Sequence, residues 1–160
     1  MKIVVISDTH MPRTAQDLPA GLYEEIAKSD MIIHAGDFVE IDILNKLRKL
    51  KPTKAVCGNM DSQAIRNELK PKEIIEAGKF KIGLIHGYGA PADLVDTVAS
   101  EFTGVDAIVF GHTHSPVNMM KDGVLFFNPG SPTDTIFAKT NSFGILDITD
   151  EAIKGKIIKL

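Results

Sequence analysis

The sequence predicts an α/β fold in which two β-sheets pack together, as a single domain over residues 1–160. Three observations carry that expectation. The first half alternates short β-branched runs with amphipathic helical spacings, which is the pattern of a parallel sheet joined by right-handed crossovers. The second half is rich in strands and turns, which calls for a second sheet. The length suits one core, since domains run to about 100–200 residues.

Residues 3–6, Ile-Val-Val-Ile, are β-branched throughout and read as a buried parallel strand. The run stops at Ser7-Asp8-Thr9-His10-Met11-Pro12, where polar side chains and proline mark a loop. Leu18, Leu22, Ile26 and Ala27 recur at helical spacing and predict a helix over 18–27, with Pro19 near its start. Residues 31–33 make the next strand, followed by the loop His34-Ala35-Gly36-Asp37. From Asp42 a second helix places Ile43, Leu44 and Leu47 on one face, with Arg48, Lys49 and Lys51 where its dipole favours cations. A third strand, 54–56, ends in Cys57-Gly58-Asn59-Met60-Asp61.

The second half continues with a strand at 79–85 running into His86-Gly87-Tyr88-Gly89. A helix over 91–102 carries Leu94, Val95, Val98 and Phe102 on one side, and a strand at 107–110 ends in Gly111-His112-Thr113-His114. Strands at 117–120 and 124–127 flank an Asp122-Gly123 hairpin turn, and 143–148 and 155–158 complete the set. The apolar run 124–127 admits two readings: a core strand, or an exposed edge on which subunits pair into a homo-oligomer.

Composition narrows the function classes. Eighteen basic against 21 acidic side chains give a net charge of −3. With a pI near 5.9 and no basic block, the chain is not built to grip polymeric nucleic acid. No run of about 18 apolar residues occurs, so no membrane partner is expected. The apolar N-terminal run is too short for a signal peptide, and a lone Cys57 forms no internal disulfide; both predict a reducing, cytoplasmic setting. Cys57 itself follows an apolar strand and reads as a small buried hydrophobe.

The chemistry-bearing residues all stand immediately after predicted strands. Asp8 and His10 follow the first, Asp37 the second, Asn59 the third, and His86, His112 and His114 the later two. In open α/β sheets ligands bind outside the carboxyl ends of the strands, so neighbouring strands would gather two Asp, one Asn and four His in one volume. Without a cation the carboxylates would repel and the imidazole lone pairs would lack partners. Mixed carboxylate, amide-oxygen and imidazole donors suit manganese, iron or zinc better than calcium, and the absence of thiolate argues against a structural zinc knot. Seven ligands exceed what one ion takes, whereas one carboxylate bridging two ions about 3.5–4 Å apart fits the count. Taken singly, Gly36-Asp37 is ordinary turn chemistry. The ordered set carries the signal.

That series, Asp8-Thr9-His10, Gly36-Asp37, Gly58-Asn59, His86 and Gly111-His112-Thr113-His114, resembles the calcineurin-like metallophosphoesterases. The short length and Asn128-Pro129-Gly130-Ser131 resemble their small prokaryotic phosphodiesterase branch, to which the metal-poor retromer subunit of eukaryotes is related. The match runs in the family's order from residue 3 to about residue 131. The resemblance implies a four-layer α/β/β/α sandwich with two packed mixed β-sheets. It implies one divalent ion on Asp8, His10, Asp37 and His114, and a second on Asp37, Asn59, His86 and His112, with Asp37 as the bridge. Manganese is the expected metal, with iron, zinc and nickel as alternatives. The implied activity is a two-metal phosphodiesterase in which a metal-bridging hydroxide attacks the phosphorus of a small or soluble phosphate ester, with Asp37, Asn59 and His86 catalytic. Two alternatives use the same fold: a phosphomonoesterase, and a catalytically weak scaffold that holds a protein partner. The scaffold predicts degraded ligands, and all seven are present.

Several neighbours complete the expectation. His34 orients Asp37 or a water from behind. Arg13, and Arg66 after Asp61, are candidates to clamp a phosphate oxygen, against the plainer reading of solvated surface charge. Large Ser/Thr phosphatases resembling this family carry a leaving-group histidine after the Gly-Asn pair. Met60 stands there in this chain, which leaves Asp61 or water as the proton donor. Many relatives also have a histidine where this chain has Tyr88, whose phenol is a candidate phosphate contact. Asn128 to Ser131 is read as a turn beneath the site.

Overall fold

Strand β1 (Lys2–Ile6) needs cover on both faces, since four of its five side chains are wholly buried, and the rest of the chain supplies it. The computed structural model describes all 160 residues, Met1–Leu160. Helix α1 (Ala20–Ala27) leads to β2 (Met31–His34), and α2 (Ile41–Leu50) leads to β3 (Thr53–Ala55). β1 pairs parallel with β2, and β2 parallel with β3. After helix α3 (Gln63–Glu68) the chain enters β4 (Lys72–Ala77) and β5 (Phe80–Ile85). A 3-10 turn (Pro91–Asp93) opens α4 (Leu94–Ser100), followed by β6 (Ala107–Val109), β7 (Val117–Lys121) and β8 (Val124–Asn128). The last two strands, β9 (Ser142–Ile148) and β10 (Ile153–Lys159), return to the first sheet. The sheet orders are β10-β9-β1-β2-β3 and β4-β5-β6-β8-β7, and both are mixed.

Three buried clusters define the four layers. Ile3, Val5 and Ile33 meet Leu84, Val109 and Phe127 between the sheets. Val4, Ile6 and Ile32 turn the other way, onto Leu22 and Ile26 of α1, Leu44 and Leu47 of α2 and Ile65 of α3. On the far side, Ile85, Ile108 and Phe126 pack under Leu94 and Val98 of α4. Successive residues along a strand point to opposite faces, so one uninterrupted apolar run serves two cores. The architecture is the α/β/β/α sandwich the resemblance implied.

Phe127 shows how closely the sheets are fitted. A methyl at Gly155 would lie 2.6 Å from its ring, so that position takes no side chain. Asp122 and Gly123 both have positive φ, 50° and 80°, as a two-residue hairpin turn between β7 and β8 requires. β8 is flanked by β6 and β7, and Leu125, Phe126 and Phe127 are buried, so the run 124–127 is core and not a pairing edge. That removes the basis offered for a homo-oligomer. Two further differences follow from short or polar segments. The helix expected over 91–102 is shorter: a 3-10 turn, Pro91–Asp93, leads into seven helical residues that end at Ser100. Cys57 is only half-buried.

Candidate metal centre

The two sheets aim their carboxyl ends at one place. Loops after β1, β2 and β3 bring Asp8, His10, Asp37 and Asn59, and loops after β5 and β6 bring His86, His112 and His114. The convergence expected along one open sheet is therefore made across two facing sheets. Asp8, His10, Asp37, His112 and His114 all have φ between 46° and 72°, a left-handed conformation uncommon outside glycine. Only Val39 and Asp122 share it among the non-glycine residues. Each such residue stores about 1–3 kcal/mol of strain and persists where its surroundings over-determine it, a pattern that concentrates at functional sites.

Buried polar atoms meet in two overlapping groups, Asp8 with His10 and His114, and Asp8 with Asp37 and His86; within each, the facing atoms lie within 4.8 Å of one another. His114 Nε2 is 3.4 Å from Asp8 Oδ1, and His10 Nε2 is 3.6 Å from Asp37 Oδ2 and 3.1 Å from His114 Nε2. His86 Nε2 lies 3.3 Å from Asp37 Oδ2, 3.1 Å from Asn59 Oδ1 and 3.9 Å from Asp8 Oδ1. Both carboxylates thus sit between the two groups, so Asp8 shares the central position that the resemblance gave to Asp37 alone.

Hydrogen bonds turn the outer faces of these groups away and leave acceptors pointing inward. His86 Nδ1 donates to the Ala35 carbonyl at 2.8 Å, which turns Nε2 inward toward two oxygens, where a cation would displace its proton. Asp8 Oδ2 accepts from Ser7 Oγ at 2.6 Å and from the His112 amide at 3.1 Å, and Asp37 Oδ1 accepts from the Met60 amide at 2.7 Å. Oδ1 of the first and Oδ2 of the second face the ring nitrogens. With bonds of about 2.0–2.2 Å to N and O donors, ligands around one ion stand about 3–3.6 Å apart, and the spacings match except for His10 and His86 to Asp8 Oδ1, both 3.9 Å. This donor set fits divalent cations.

The electrostatics agree. Burial pushes the Asp8 carboxyl up from its ordinary value. Burial also opposes ionisation of Asp37, but the His86 hydrogen bond and charge and the Met60 amide outweigh it and hold that carboxyl low. For His86 burial disfavours the charged ring, yet the Asp37 hydrogen bond and the charges of Asp8 and Asp37 raise it to about 9. His10 is lowered by burial.

The supporting residues have distinct placements. His34, wholly buried and stacked on Phe38, accepts from the Gly36 amide through Nδ1 at 3.1 Å and lies 3.2 Å from Thr9 Oγ1 through Nε2. It ties the Asp8 loop to the Asp37 loop, and burial holds it well below the usual histidine range. Asp61 accepts from the amides of Gly58 (2.7 Å), Val39 (2.8 Å) and Asp37 (3.1 Å), with both oxygens engaged and none lining the cleft. Arg66 bonds the carbonyls of Asp61 and Asn59, bracing the same loop. The turn after β8 does pack beneath the site: Ser131 Oγ donates to the Asp8 carbonyl and Asn128 Nδ2 to the Gly111 carbonyl.

Two side chains turn away from the cluster. His112 Nε2 is 3.1 Å from the Gly89 carbonyl, so the tip of that ring turns away from the shared carboxylates. Tyr88 Oη donates to Glu101 Oε1 at 2.7 Å and lines a groove shared with Lys72, Arg66, Asn59 and His86, next to the cleft that holds His10 and Asp37. Arg13 does line the cleft, beside His10 and Met60. Sequence reasoning missed Asp134. Its Oδ2 accepts from His114 Nδ1 at 2.6 Å, orienting that ring so Nε2 faces Asp8. The signal available was slight: an acidic residue closing the Ser131-Pro132-Thr133 turn.

Residues 1–151 match the family model of the calcineurin-like phosphoesterase superfamily domain. The chain belongs to that superfamily. It is 42% identical, over 137 residues, to a probable metallophosphoesterase of Methanocaldococcus jannaschii, covering 83% of this chain and 69% of the relative. A solved archaeal phosphodiesterase superposes with a TM-score of 0.77 at 27% identity, covering all of both chains. Wild-type Vps29 from Entamoeba histolytica, solved in complex with Zn²⁺, superposes with a TM-score of 0.75 at 25% identity over 99% of each chain. The superfamily, the relative and the donor set make this chain a phosphoesterase, a hydrolase of phosphate esters that uses divalent metal.

Proposed function

We propose that the chain is a two-metal phosphodiesterase, working as one unit of 160 residues, that hydrolyses small or soluble phosphate diesters. The observation that carries this reading is the pair of donor groups that overlap at Asp8, with Asp37 Oδ2 facing His10 of one and His86 of the other. His10 and His114 would hold one ion with these carboxylates, and His86 and Asn59 the other, with His112 as a further donor to the second. Manganese is the favoured metal, and the zinc in the related Vps29 supports a divalent occupant of such a pocket. Bound divalent ions supply nucleophilic hydroxide from water near neutral pH and charge that offsets the phosphate's.

The chain's own residues do the rest. Asp8 and Asp37 would hold the ions that the phosphate meets, and Arg13 on the cleft wall pairs with a non-bridging oxygen. Asp61 organises the Gly58 loop, and Met60 carries no proton, so the leaving group takes its proton from solvent. Esters with good leaving groups are therefore favoured. The one thiol, Cys57, fits a reducing, cytoplasmic setting.

The test is turnover of bis(p-nitrophenyl) phosphate against p-nitrophenyl phosphate by manganese-loaded protein, with and without chelator. Diester turnover that chelator abolishes, and that Asp37→Ala lowers by more than about 100-fold, is expected. Undiminished turnover in that variant, or preference for the monoester, overturns the reading.

A further inference from the structure

The cleft on the metal side encloses about 570 Å³, the size of pocket that takes a whole small molecule and far more than a phosphate group fills. Much of its floor is polar, but its rim is not. Ile136 and Phe137 are 76% and 70% exposed, and Met60 is 42% exposed, all lining this one cleft. Single exposed apolar side chains are unremarkable; three around one polar cavity make a recognition surface. They are also held in place. Asp134, which orients His114, accepts from the amides of Ile136 (2.8 Å), Phe137 (2.9 Å) and Ala138 (2.6 Å). The Phe137 ring stands edge-on to His114, centroids 5.6 Å apart. One carboxylate thus sets both the ring that faces Asp8 and the apolar rim.

We propose that Ile136 and Phe137, with Met60, form an aromatic-binding shelf that selects phosphate esters carrying a planar ring, aryl or nucleobase, on one arm. The inference rests on the phosphoesterase reading of the adjoining site and adds the chemistry of the substrate's non-phosphate part. A flat ring buries apolar area against Phe137 while its phosphate reaches the cations that the acceptor cluster would hold, and Arg13 meets the remaining negative charge.

The experiment compares two phosphates of equal charge, adenosine 5′-monophosphate and ribose 5-phosphate, by calorimetric titration into manganese-loaded protein. The base-bearing ligand is expected to bind about tenfold tighter. Phe137→Ala brings the ratio close to one with ribose 5-phosphate affinity unchanged, and Phe137→Trp retains the preference. Phe137 is exposed, so neither change threatens the fold. Equal binding of the two ligands by the native protein, no nucleotide binding at all, or a preference that survives Phe137→Ala overturns the shelf. Failure of the diesterase reading is separate: diesters then go unhydrolysed while the ring preference persists.

Discussion

His114 is gripped from behind by Asp134: its Nδ1 donates to Oδ2 of that carboxylate at 2.6 Å while its Nε2 faces Asp8 Oδ1 at 3.4 Å. The pair fixes the ring's tautomer and direction. Burial opposes the charge on Asp134, but the His114 hydrogen bond and the loop amides of Ile136 and Ala138 hold it below the ordinary carboxylate range.

Replacing Asp134 with Asn removes that charge and keeps the shape. Metal affinity should fall by about 10–100-fold, read by titration of manganese into metal-free protein. Turnover should recover when manganese is raised to saturation. A variant whose activity stays low at saturating metal, with a lowered melting temperature, would instead mark Asp134 as a fold residue only.

Protonation of His86 competes with the metal. In the metal-free protein its ring keeps a proton up to about 9, because Asp37 and Asp8 outweigh the penalty of burial. This raised value favours the folded state fully below the unfolded histidine's value of about 6.5, and the contribution fades as pH rises through about 9. A cation must displace that proton, so apparent metal affinity should climb by about tenfold per pH unit across the same window. Titrations at pH 7, 8 and 9, in buffers of different ionisation enthalpy, should also show about one proton released. Affinity that is flat with pH would contradict the placement of His86 among the ligands.

How much of this was legible in the sequence depends on how local each cause is. β1 and β2 announce themselves because burial on both faces demands an unbroken apolar run. β4 does not: its sequence Lys-Glu-Ile-Ile-Glu-Ala buries only Ile75 and Ala77, as an edge strand does, and Ile74 stays exposed. α3 is six residues with one buried anchor, Ile65, too short for a helical period to show. The candidate ligands were legible because each follows a strand. Asp134 was not, because it reaches His114 through a loop rather than a strand end. Tyr88 and Asp61 were placed in the chemistry by sequence position, but their directions depend on partners, Glu101 and three backbone amides, that no local pattern displays.

Metal should also set the stability of the fold. The native state holds its acceptors inward at the junction of both sheets, whereas the unfolded chain scatters residues 8 to 114 and binds cations far more weakly. A ligand bound only by the native state, at 100 times its dissociation constant, adds about 2.7 kcal/mol. For a chain of this length that corresponds to a rise of roughly 5–10 °C in melting temperature. Chelated protein and protein with excess manganese should differ by that amount in calorimetry, and Asp8→Asn should abolish the difference because its carboxylate belongs to both donor groups. A melting temperature indifferent to manganese would mean that the inward-facing acceptors are satisfied without a cation.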